Sequence, residues 1–252
     1  MTGNKFAGLT CAYGCGRPSA SDDHVFARKF FVKDKRGNLP QVPACHVCNG
    51  EKGALESELM NVMAFGGRHD DAADNLSVQV AHRLENKANA RVARELKAGL
   101  SHAWVTENGV IREATTVPVD WSRVQLLCCF IARGLAWHHF DNLVFDAECS
   151  VGAFSAIKQD GELLRRFRNS KAARRVEADL GKGTFGYWGV QAEDNPKVTA
   201  WEFSIHSGVR TVDGGDEPHN IGVLTGPREV SERGLQKREI QRRWLNGTRL
   251  HG

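Results

Sequence analysis

The chain has 252 residues, of which 41% are hydrophobic and 25% charged, and its formal net charge is +4. That length suits one large domain or two smaller ones, and the composition excludes a disordered or fibrous chain. No apolar run reaches the ~20 residues that span a bilayer, so no membrane partner is expected. The charge is too mild to indicate nucleic-acid binding by itself, so any basic footprint must come from where the charge sits.

Residues 1–66 are expected to form one module and 67–252 a larger mixed region. The first 60 or so are rich in Cys, Gly, Lys and Arg and poor in apolar runs. Such a segment builds little core alone and gains from a metal staple. From Glu51 onward, Leu55, Leu59, Val62 and Met63 recur at helical spacing, until Gly66-Gly67 interrupts them. A longer helix is predicted over about 72–98, with Leu76, Val80, Leu84 and Val92 on one face. Residues 103–118 read as a hairpin turning at Asn108-Gly109. Asp120 then caps a helix running to about His139, apolar nearly all round and carrying Cys128-Cys129 as core residues.

A basic helix is predicted over about 163–180. On it Arg165, Arg168 and Arg175 would share one face, which either offers a second contact to DNA or is a solvated face paired with acidic residues elsewhere. Residues 183 to about 225 read as short strands, and 233–249 as a basic helix or loose arm. The fold class is therefore α+β.

Seven cysteines are an odd number, and the N-terminus lacks an apolar stretch followed by a cleavage site. Both features argue against a secreted disulfide framework and for metal binding in the cytoplasm. Cys11-x3-Cys15 and Cys45-x2-Cys48 are two short-spaced pairs that suit a tetrahedral zinc site made of four cysteines. His46 is read as a surface residue, because four thiolates already complete such a site. Asp23-His24 falls between the pairs and Asn49 follows the last cysteine. Carboxylate and amide oxygens are hard ligands suited to Mg2+ or Mn2+. An imidazole beside them is suited to take a proton from water near neutral pH.

This order of C-x3-C, DH, N and C-x-x-C-N-x-x-K resembles the HNH, or His-Me finger, endonucleases. It is most similar to their zinc-bearing versions among the phage junction-resolving enzymes. The resemblance covers roughly residues 8–60. It implies a ββα-metal finger with structural zinc on Cys11, Cys15, Cys45 and Cys48. It implies Asp23 and Asn49 as Mg2+ ligands, His24 as general base, and Asn38 as the residue that braces the loop. Lys52, Arg28 and Lys29 flank this set and read either as phosphate contacts or as solvated surface charges.

The expected activity is thus hydrolysis of phosphodiester bonds in DNA, most naturally double-stranded, and cutting two strands favours a homodimer. Two alternatives stand beside it. One is a zinc-stabilised nucleic-acid-binding module without catalysis. The other is a nuclease effector restrained by its C-terminal region.

Overall fold

Alternating apolar residues in the C-terminal half build the largest element of the computed structural model, a five-stranded antiparallel sheet. The structure describes residues 5–60, 62–65, 67, 70–74, 82, 85, 90–107, 109–156, 158–208 and 220–228. The strands are β5 (Cys149–Ala156), β6 (Ala172–Leu180), β7 (Phe185–Ala192), β8 (Thr199–Ile205) and β9 (Asn220–Pro227), in the spatial order β5-β9-β8-β7-β6. The last four form a meander, and β5 closes the far edge against β9.

The period of two sends side chains to both faces of this sheet. Phe185, Tyr187, Trp201, Phe203, Ile221 and Val223 enter the main core on one face. Trp188, Val190 and Ala200 join Phe154 and Leu164 on the other. Two glycines make room for aromatic neighbours. Gly189 lies directly across from Trp201, and Gly222 across from Phe154. A Cβ at Gly189 would overlap the Trp201 indole. Gly189→Ala is therefore expected to cost about 1–3 kcal/mol through overpacking, read as a lower urea midpoint. An unchanged midpoint would show that the indole can move aside.

Among the described residues, helices accompany the sheets as α1 (His46–Leu59), α2 (Asp70–Asp74), α3 (Ala90–Gly99), α4 (Trp121–His139) and α5 (Lys158–Asn169). Helix α4 starts where expected. The Asp120 side chain accepts from the Ser122 N–H at 3.0 Å, and Val124, Leu127, Cys128, Phe130, Ile131 and Leu135 are buried along it. A hairpin of β3 (Ser101–Glu107) and β4 (Val110–Thr116) stands where the sequence predicts one, with Gly109 at φ 77° in its turn. Of the helix expected over 72–98, residues 90–98 are helical in α3 and 72–74 in α2, while most of 75–89 lies outside the described residues. The basic tail over 233–249 also lies outside them. Among the described residues no helix is long and apolar enough to cross a membrane.

The N-terminal segment does not stand apart from the rest. Strands β1 (Ser21–His24) and β2 (Gln41–Ala44) pair antiparallel, and α1 follows directly. Their apolar residues share one core with α4 and the large sheet. Tyr13 meets Phe130 edge-on at 5.1 Å, and Phe26 lies 4.4 Å from Phe185. An Arg123–Glu58 ion pair of 2.6 Å ties α4 to α1. Buried Asp71 joins Lys35 at 2.7 Å to Thr184 at 2.6 Å, which fastens the loop before β2 to the large sheet.

Candidate metal centre and active site

The first cysteine pair sits in a tight loop and the second at a helix start. Gly14 and Gly16 adopt φ 80° and 73°, a left-handed backbone that glycine takes without strain. At Gly14 any side chain would also strike the Phe145 carbonyl. Cys45 caps α1, its sulfur accepting from the Cys48 N–H at 3.4 Å. The four sulfurs of Cys11, Cys15, Cys45 and Cys48 lie within 4.8 Å of one another, and none is in a disulfide. A tetrahedron with Zn–S bonds of ~2.3 Å has edges of about 3.8 Å, and the Cys15–Cys45 separation is 3.5 Å. These four cysteines could hold a metal such as zinc.

Their acidity fits a cation. As thiols, Cys11 is pushed up to about 11, mainly by burial, and burial raises Cys48 further. Burial also acts on Cys45, but hydrogen bonds from Cys48 and the neighbouring thiols outweigh it and bring Cys45 down to about 7. A divalent ion removes the burial penalty on the thiolates by supplying the opposite charge. His46 is exposed and stands outside the set.

Beside the cluster, the pleat of β1 sorts its side chains. Ser21 and Asp23 meet side chains of α1, and His24 lies on the opposite face beside its cross-strand partner Gln41. Asn49, in the first turn of α1, donates from Nδ2 to Ser21 Oγ at 2.9 Å. One turn on, Lys52 is fully buried. Its ammonium lies 3.2 Å from Asp23 and 2.5 Å from Glu56, and donates to the His24 carbonyl at 2.7 Å. The Tyr13 hydroxyl, from within the first cysteine loop, donates to the same Asp23 oxygen. Burial, and then the Asp23 charge, keep that phenol protonated far above its ordinary range.

His24 is half-buried. Its Nε2 lies 3.2 Å from Gln41 Nε2, and its Nδ1 makes no well-formed hydrogen bond among the described residues. Burial, then the nearby Arg28 charge, lower its pKa from the usual value. The neutral imidazole that a general base needs is therefore favoured.

The donor set can be tested against a hard cation. The Asn49 amide nitrogen is spent on Ser21, which leaves its oxygen as the ligand atom. Both partners of Asp23 meet Oδ2. Asp22, which alternates to the other face of β1, has a buried Oδ1 with no hydrogen-bond partner among the described residues. The Asp23 carboxylate and the Asn49 amide oxygen are hard donors of the kind Mg2+ or Mn2+ takes, while the Lys52 ammonium already supplies a positive charge to Asp23.

Several expected site residues stand elsewhere. Lys52 is not a phosphate contact, because it is enclosed between two carboxylates and a carbonyl. Asn38 is exposed in the turn before β2 at φ 54°, a left-handed backbone that asparagine tolerates. Arg28 is exposed in a single helical turn, where its charge acts on His24. The expected arginine face does not exist. Helix α5 ends at Asn169 and residues 172–180 form β6, so Arg165 and Arg168 lie on a helix and Arg175 on a strand. Arg168 pairs with Glu177 at 3.2 Å and lies over Trp188 at 5.4 Å. Arg175 donates to the backbone carbonyls of Arg168 and Ser170.

Tyr13, Ser21, Gln41 and Glu56 escaped the sequence reading. Glu56 alone left a trace, four residues after Lys52 on α1. Comparison with protein-family models, with curated proteins and with solved structures finds no match for this chain.

Proposed function

We propose that the chain is a metal-dependent endonuclease of the HNH kind, acting on DNA. The observation that carries this reading is the β1–β2–α1 unit, which joins the four-sulfur cluster to Asp23, His24 and Asn49 within two short strands and one helix start. The order of these parts agrees with the resemblance in the sequence. In this reading zinc on the four cysteines is structural and fixes both ends of the unit. Asp23 and Asn49 hold Mg2+ or Mn2+, which when bound stabilises charge on a scissile phosphate. His24 takes the proton of the attacking water, and exposed Arg28 positions a phosphate beside it. Two strands and one site per chain favour a homodimer.

The Asp23–Lys52 pair favours a second reading. A carboxylate already held by an internal ammonium and a phenol has a structural role without any metal, as in a non-catalytic zinc module that binds nucleic acid.

Cleavage of supercoiled plasmid separates the two. Wild-type protein that retains its zinc is expected to nick DNA when Mg2+ or Mn2+ is added and to leave it intact when the ion is omitted. His24→Ala is expected to lower the rate about 10²–10⁴-fold. If both proteins are equally silent yet both retard DNA on a gel, the binding-module reading takes over.

A further inference from the structure

Gln41 is the direct cross-strand partner of His24 in the β1–β2 register. Its amide nitrogen lies 3.2 Å from His24 Nε2, and its amide oxygen receives the Lys5 ammonium at 2.5 Å. An ammonium can only donate. The amide oxygen must therefore face Lys5, since the flipped amide would set one donor against another on that side. This leaves the NH2 group facing His24. A donor there needs a lone pair, so Nε2 is the unprotonated nitrogen and the neutral ring carries its proton on Nδ1.

We propose that Gln41, itself oriented by Lys5, is a positioning residue for His24: it fixes the ring in the Nδ1–H tautomer and caps the Nε2 lone pair. The consequence for chemistry is direct. A neutral imidazole has one basic lone pair, and here Gln41 occupies it. His24 can accept a proton from water only after the Gln41 amide leaves Nε2. The proposal rests on the proposed function only in treating His24 as a base, because the tautomer is a property of the folded chain alone.

Long-range 1H–15N correlation of the histidine rings in the zinc-loaded protein, above the range where His24 titrates, reads the tautomer. His24 is assigned by the resonance that disappears in His24→Asn. The wild type is expected to show a pyridine-type Nε2 and a pyrrole-type Nδ1. Gln41→Glu places an acceptor opposite the ring and is expected to exchange the two nitrogen types. Gln41→Ala is expected to move His24 toward the Nε2–H form that free histidine prefers. A wild-type ring already in the Nε2–H form overturns the proposal, and so does a Gln41→Ala spectrum that superimposes on the wild type. The expected tautomer pattern with no DNA cleavage would remove the nuclease reading and leave this one standing. Active cleavage with the opposite tautomer would do the reverse.

Discussion

Cys48→Ser is expected to abolish stoichiometric zinc and to unfold the N-terminal third of the chain. Purified wild type should carry one zinc per chain by elemental analysis, and the variant well under half. The size of the effect follows from how little else holds this segment. Strands β1 and β2 are four residues each, too short to be stable alone. Cys48 sits in the first turn of α1 and Cys11 in the loop ahead of β1, so the cluster closes the segment that carries both strands from its two ends. Structural zinc contributes about 10–16 kcal/mol in small modules, comparable with the whole stability of a domain. Partial retention by three sulfurs still leaves an expected loss above about 5 kcal/mol. Because Tyr13 packs on Phe130 and Phe26 on Phe185, the loss must reach the common core. The near-ultraviolet circular dichroism of the aromatic residues should collapse with the zinc. A variant that melts within a degree of the wild type would show that the sulfurs carry no structural metal.

Features carried by local chemistry were legible in the sequence, and features carried by pairing were not. The cysteine spacing led to four sulfurs that do meet. Asp120 and the apolar run behind it gave α4 its start and its end, and Asn108-Gly109 gave the hairpin. The arginines suggest a helix by their charge spacing, but the apolar spacing around them is that of a strand. Val176, Ala178 and Leu180 alternate inward along β6 with a period of two and Arg174 shares their face, while Ala172, beyond a register shift, packs on the opposite face of the sheet. Gln41 could not be recognised from its neighbours, because it acquires its role from a strand register with His24. Asn38 sits in the turn before β2, three residues ahead of the position that faces His24 across the strands. The shared core was equally hidden. Nothing in Phe26 or Tyr13 alone names Phe185 or Phe130 as the partner.

Lys52→Met is expected to destabilise the protein by about 3–5 kcal/mol, the usual cost of removing one member of a buried ion pair. Methionine nearly matches the volume of the lysine stem, so packing loss is small and the effect is electrostatic. Lys52 is fully buried with two carboxylates upon it. Without the ammonium, Asp23 and Glu56 face each other in a place where water cannot replace it. Glu56 supplies a pH signature. Its pKa is already raised, first by burial, with Lys52 the largest influence holding it down. Removing Lys52 raises it further. A carboxyl whose folded pKa lies above its unfolded value binds the proton more readily when folded. Its contribution to stability is therefore greatest at low pH and is lost as pH rises through the folded value. The deficit of Lys52→Met relative to wild type should shrink between pH 8 and pH 6, followed by urea unfolding in the presence of zinc. A deficit independent of pH would assign the loss to packing. The same variant bears on function, because it frees Asp23 from its internal cation. If Lys52 only competes with the divalent ion, the surviving folded fraction needs less Mg2+ for half-maximal cleavage. If Lys52 holds Asp23 in place for that ion, it needs more.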